Sequence, residues 1–216
     1  MSTQYNERYF SERDRLDLHI AKSIEILMRD NALKRVLDVG CGTGKLVQFL
    51  NKNRFEAYGC DNAEIAIKTA QSINKKNSII KAPAAKLPFK KNSFDMITSI
   101  STIEHLTNKE VVAFIHEAKR VLKPNGFIFI VTPNFASPWR FIQRKKWFGY
   151  SDPTHINFFT PLSLANLLKD HGFYNPKFWF KTNDPSFWKN FIYYLLFSTP
   201  FCFIRNSFWI SAQKNE

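Results

Sequence analysis

The chain has 216 residues, 44% of them hydrophobic, and a formal net charge of +13. That length and apolar content exclude a disordered chain and fit one domain with a substantial core. The charge admits nucleic acid, an anionic membrane, an acidic substrate or a merely solvated lysine-rich surface. Part of it is concentrated, because no acid lies between Glu117 and Asp152 while Lys119, Arg120, Lys123, Arg140, Arg144, Lys145 and Lys146 do. Cys41, Cys60 and Cys202 lack zinc spacing, so no metal is expected and the chain reads as reduced and cytosolic. The polar N-terminus has no signal-peptide core, and no apolar run approaches the ~20 residues that span a bilayer.

Residues 11–30 read as a helix with Leu16, Ile20, Ile24, Leu27 and Met28 on one face. Val36-Leu37-Asp38-Val39 is then an apolar run interrupted by one acid. Gly40, Gly42 and Gly44 follow at alternate positions, and Leu46, Val47, Phe49 and Leu50 recur at helical spacing. This is a strand, a tight glycine turn and a helix whose unpaired N–H groups face the turn. The pattern D-x-G-x-G-x-G differs from the G-x-G-x-x-G of dinucleotide loops. It is not a phosphate loop either, because Leu46 rather than Ser or Thr follows Lys45. An acid ahead of the first glycine suits a ligand carrying an ammonium group. A glycine-rich turn with no ligand is the plainer alternative.

The stretch closely resembles the first motif of class I S-adenosylmethionine (SAM)-dependent methyltransferases. The resemblance implies an α/β, Rossmann-like domain: a seven-stranded, mostly parallel sheet of order 3-2-1-4-5-7-6, strand 7 antiparallel, with helices on both faces. It implies SAM as cofactor and S-adenosylhomocysteine as product. Asp38, Gly40 and Gly42 would hold the methionine end, with Cys41 and Gly44 in the same loop. Helix 11–30 would cap the cofactor, although covering a sheet edge explains it equally well.

The second strand, 55–60, ends at Asp61. A carboxylate there can accept hydrogen bonds from both ribose hydroxyls. Asn62 is a further cofactor candidate and a candidate N-cap for the next helix. A short third strand, 78–81, leads to Leu87-Pro88-Phe89 and Ser93-Phe94-Asp95. These resemble the ubiquinone/menaquinone-type branch of the family. In that branch an Asp shortly before the Leu-Pro-Phe binds the adenine amino group. Pro83 stands there instead, which leaves the Ala84 amide as the adenine contact.

The fourth strand, 95–100, exits into Glu104-His105, a pair found in the same branch. Ser99 and Ile100 are expected to line the cofactor's methionine side. His105 is a candidate general base, with a structural Glu104–His105 pairing as the competing reading. Ser99-Ile100-Ser101-Thr102 replaces the Asn/Asp-Pro-Pro-aromatic stretch of base N-methyltransferases, which argues against base N-methylation of DNA or RNA though not against other RNA chemistry; nucleic acid is not the expected partner.

A helix through Val111 and Leu122 and a fifth strand, 127–132, precede an acceptor-side insertion, 133–160. Trp139, Arg140, Phe141, Arg144, Lys145, Lys146, Trp147, Phe148 and Tyr150 fit a lid, a membrane contact or a stacking surface for single-stranded nucleic acid. Asp152-x-x-His155-x-x-x-Phe159-Thr160 resembles small-molecule and glycan methyltransferases. His155 is therefore a candidate base or substrate-orienting group, and ordering of its own loop competes with that reading. Thr160 and Pro161 should start a helix that stops at His171-Gly172. Strands 173–181 and 207–213 bracket an apolar insertion, 182–206, suited to membrane docking, a dimer contact, acceptor cover or the domain's own core. The expectation is methyl transfer to a hydroxyl of a small molecule, glycan or lipid-linked metabolite. It would act in the cytoplasm, with peripheral contact at the inner membrane face left open. An RNA-associated methyltransferase and a non-catalytic SAM-binding module are the alternatives.

Overall fold

The computed structural model describes residue 10, residues 15–179 and residues 205–215. Most of the apolar insertion 182–206 therefore lies outside the described residues, as do residues 11–14 of the expected cap helix. Helix α1 (Leu18–Asp30) starts later than expected, because residues 15–17 are not helical. Asp17 is the N-cap, its carboxylate accepting from the His19 and Ile20 amides at 2.8 and 3.4 Å.

Seven strands form one sheet: β1 (Arg35–Val39), β2 (Glu56–Asp61), β3 (Ile79–Lys81), β4 (Phe94–Ile100), β5 (Leu122–Pro133), β6 (Phe173–Trp179) and β7 (Ser207–Lys214). Their order is β3-β2-β1-β4-β5-β7-β6, with β7 antiparallel to both neighbours and the remaining pairs parallel. Strand β5 starts earlier than the expected 127, because Leu122 pairs with Phe94 across a register shift. Asn125, with φ 59°, takes the left-handed turn inside it.

The helices are α2 (Lys45–Lys52), α3 (Glu64–Ile73), α4 (Asn108–Val121), α5 (Trp139–Gln143) and α6 (Pro161–Asp170). Alternation along β1 and β4 divides the core into two layers. Val36 and Met96 pack with α1, α2 and α3, whereas Leu37 and Ile97 pack with α4 and α6. Both faces of the central strands are thus covered, which is why β1 reads as a near-continuous apolar run. Thr107 and Glu110 close a capping box on α4. Thr160 caps α6 as expected, but its reciprocal partner is Ser163.

The insertion 133–160 has an aromatic core of its own. Trp147 is fully buried among Phe135, Tyr150 and Phe158, and its Nε1–H donates to Asn206 at 3.0 Å. Trp147 is therefore a packing residue. Phe141 and Ile142 remain 65% and 69% exposed. Among the described residues, no helix is long and apolar enough to cross a membrane.

Candidate active site

A cleft of about 1420 Å³ opens where β1, β2, β4 and β5 end. Small-molecule pockets run to roughly 300–1,000 Å³, so this cleft exceeds the upper end of that range. This is the crevice outside the carboxyl ends of an open α/β sheet. Asp38, Gly40, Cys41, Gly42 and Lys45 line one end, with Asp61, Asn62 and Ala84 beside them.

Gly40 has φ +76°, and a Cβ there would collide with the Thr102 side chain. Thr102 thus fills the space a side chain would need, and only glycine fits there. The Gly40 amide donates to the Cys60 carbonyl at 2.8 Å, tying the loop to β2. Asp38 is buried, and its Oδ1 accepts from the Thr98 hydroxyl at 2.7 Å. Asp61 Oδ2 accepts from the Gly42 amide at 2.9 Å, and Oδ1 accepts from the Ala63 amide at 2.8 Å. The Asn62 amide also interacts with this carboxylate, which keeps lone-pair capacity for a further donor. Burial raises the Asp61 pKa, against the lowering effect of the Ala63 and Gly42 amides.

The structure sets two expected cofactor residues, Ser99 and Gly44, apart from the rest. Ser99 is fully buried and does not line the cleft, whereas its neighbour Ile100 does. Adjacent strand residues face opposite ways, and Ser99 falls on the inner side. Gly44 does not line the cleft either. It is the N-cap of α2, where an added Cβ would sit 2.5 Å from Asn74 Nδ2 and 2.9 Å from Ala70 Cβ. Close packing of α2 on α3 explains this glycine. Asn62 lines the cleft but does not cap α3. Ala63 is the N-cap, whose alanine side chain has no acceptor to offer the helix, and its own amide donates to the Asp61 carboxylate.

At the other end of the cleft His105 and His155 meet with ring centroids 4.8 Å apart. His105 follows β4 on a short 3-10 turn, Ile103–His105, and His155 belongs to the insertion. The Ile156 and Asn157 amides donate to the Glu104 carbonyl at 3.0 Å, pinning the two loops together. The Thr154 hydroxyl donates to Asp152 Oδ1 at 2.5 Å, so toward His105 Nδ1, 2.9 Å away, it presents a lone pair. Hence His105 carries a proton on Nδ1, which also faces the Thr154 carbonyl at 3.2 Å. His155 Nδ1 lies 2.7 Å from the Gly149 carbonyl, which likewise requires a proton there. Its Nε2 lies 3.9 Å from Asp152 Oδ2.

Glu104 is buried beneath this pair. Its Oε2 accepts from the Thr132 hydroxyl at 3.0 Å, while Oε1 has no hydrogen-bond partner among the described residues. Burial pushes its pKa up to about 8, and Asp152 adds to the rise. Burial also raises the Cys41 and Cys60 thiols, which keeps both protonated and unsuited to nucleophilic work. Thr102 and Asp17 also border the cleft. Neither carries a motif signal, and only the folded loop geometry brings them there.

The family described as "Methyltransferase domain" matches residues 6–177. A ubiquinone biosynthesis O-methyltransferase from Pelagibacter ubique is 31% identical over 121 residues, which are 54% of this chain and 50% of that relative. The chain thus matches only about half the length of that protein. A demethylmenaquinone methyltransferase from Thermotoga maritima is 26% identical over 172 residues, covering 69% of this chain and 74% of that one. Among solved structures, a SAM-dependent methyltransferase from Archaeoglobus fulgidus superposes with a TM-score of 0.67. It covers 97% of this chain and all of its own, at 22% identity, a likeness of fold. The sheet order, the glycine loop at the strand ends and the family match together make this chain a member of the class I SAM-dependent methyltransferases.

Proposed function

We propose that the enzyme transfers the methyl group of SAM to a hydroxyl oxygen of a small molecule, glycan or lipid-linked metabolite. The observation that carries this reading is the His105–His155 pair, set in the same cleft as the glycine loop. Asp38, Gly40, Cys41 and Gly42 would hold the methionine end and Asp61 the ribose, with Asn62 and Ala84 toward the adenine. Ile100 offers an apolar wall beside them. When bound, SAM supplies an electrophilic methyl whose departure returns an electron pair to sulfur. The chain's contribution is to align donor and acceptor and to remove the acceptor's proton.

His155 is the group for that proton. Its Nδ1–H is held by the Gly149 carbonyl, which leaves Nε2 to accept and also favours the imidazolium that forms. The hydroxyl oxygen gains the methyl as its O–H bond passes to Nε2. A relative named for ubiquinone biosynthesis supports a lipid-linked acceptor for this chain. Exposed Phe141 and Ile142 beside Arg140 and Arg144 support a peripheral contact with anionic lipid. A metabolite screen with methyl-labelled SAM tests the reading. It predicts an O-methylated product whose formation falls by about 10²–10⁴ in His155→Asn, the range for a lost general base. An N- or C-methylated product, or unchanged turnover in that variant, contradicts it.

A further inference from the structure

We infer that Glu104, His105 and His155 form a binding site for a divalent transition-metal ion at the acceptor end of the cleft. One ligating atom from each of the three lies within 4.8 Å of the others. No spacing along the chain announces such a site, because its members come from two loops joined only in the fold. The second observation is independent of that proximity. Glu104 is fully buried, yet among the described residues its Oε1 has no hydrogen-bond donor, although Thr132 satisfies Oε2. Buried carboxylate oxygens are normally paired, so an orphaned one on a residue of this cluster calls for a partner, which a cation would supply.

The imidazoles are prepared for the same task. His155 gives its Nδ1–H to the Gly149 carbonyl, and His105 turns its Nδ1–H toward the Thr154 carbonyl and hydroxyl. Each neutral ring then carries its lone pair on Nε2. Ligating histidines characteristically donate their other N–H to a carbonyl or carboxylate in this way. The bonds from the Ile156 and Asn157 amides to the Glu104 carbonyl hold the two loops in register.

Two imidazoles and one carboxylate suit Zn²⁺, Co²⁺, Mn²⁺ or Fe²⁺ rather than Ca²⁺, which prefers oxygen alone. Metal–nitrogen distances near 2.0–2.1 Å require the donors to draw together by about an ångström, within reach of small side-chain rotations. Three protein ligands leave an open position facing the cleft, where His105 and His155 both line its wall. With an ion bound, His155 Nε2 is a ligand and not the base, and the cation itself would lower the pKa of the acceptor hydroxyl in the proposed reaction. Binding itself does not depend on that reading. A failure to bind metal leaves His155 as the base, and a failure to O-methylate leaves the metal site standing.

The test is calorimetric titration of the full, chelator-treated chain with Zn²⁺, repeated with Co²⁺ and followed by visible absorption. One equivalent should bind, and Co²⁺ should show d–d bands without a thiolate charge-transfer band. Glu104→Gln keeps the Thr132 hydrogen bond and His155→Asn keeps a donor near Gly149, so both changes spare the local packing. Each should weaken Zn²⁺ at least tenfold while SAM affinity stays at the wild-type value. No stoichiometric binding by the wild type overturns the proposal. So does wild-type affinity in both variants, or a thiolate band pointing to Cys41 or Cys60. Should both variants lose SAM binding through misfolding, the wild-type Co²⁺ spectrum decides alone: nitrogen–oxygen d–d bands support the site and their absence refutes it.

Discussion

Replacing Gly40 by alanine isolates what shapes the donor end of the cleft. The residue has φ +76°, a conformation that costs an L-residue about 1–2 kcal/mol. The new methyl would also overlap Thr102, whose hydroxyl is held by the Ile100 carbonyl at 3.1 Å and cannot swing away freely. Overpacking of this kind adds about 1–3 kcal/mol. The single variant should therefore lose about 2–5 kcal/mol in urea unfolding. Thr102→Ala removes much of the overlap but leaves the strained φ. A double-mutant cycle should then return a coupling of about 1–3 kcal/mol, with the doubly substituted chain more stable than Gly40→Ala alone. Additivity within about 0.5 kcal/mol would refute the reasoning, since it would mean that Thr102 does not press on the loop.

Asp61→Ala removes the carboxylate that organises the Gly42 and Ala63 amides and that is assigned to the ribose. At about 1.5–3 kcal/mol for each of two hydroxyl bonds to a charged group, SAM affinity should fall by about 10²–10⁴, as read by calorimetry. A loss under threefold would remove the ribose assignment. Glu104 gives a pH signature in metal-free buffer. Its folded pKa of about 8 lies above the unfolded value near 4.5, so the folded state holds the proton that the unfolded chain has lost. Stability contributed by this group is then full below pH ~4.5 and is lost as pH rises toward 8, by on the order of a few kcal/mol. Glu104→Gln should flatten that slope in denaturant melts, and an unchanged slope would contradict the buried, protonated carboxyl. Trp147→Ala should cost about 3–5 kcal/mol, the range for a fully buried aromatic. A change below 1 kcal/mol would mean that the aromatic core of the insertion does not support the fold.

The donor half of the site was legible because its determinants are local. Strand, acid, three glycines and helix stand in one short stretch, and Asp61 ends the next strand. Local signals do not, however, distinguish the positions of neighbouring residues in the fold. Gly44 looks like its two partner glycines, yet only tertiary packing on Ala70 and Asn74 reveals its different duty. Ser99 and Ile100 are adjacent in sequence, but alternation on β4 sends only Ile100 to the cleft. Asn62 is a good capping residue by type, yet the helix begins one residue later, with Ala63 at the N-cap and its amide held by the Asp61 carboxylate. The acceptor half was legible only in pieces. Glu104-His105 and Asp152-x-x-His155 each stood out, but nothing local says that they converge, because two loops from distant parts of the chain make the contact. Trp147 reads as one of several exposed aromatic candidates, and burial against Phe135 and Phe158 shows it to be core.

Calorimetric titration of the wild-type chain with SAM tests the central claim most directly. The cleft built on Asp38, Gly40 and Asp61 predicts saturable binding of one equivalent, with S-adenosylhomocysteine competing for the same site. Absence of SAM binding by folded protein would contradict the account at its base.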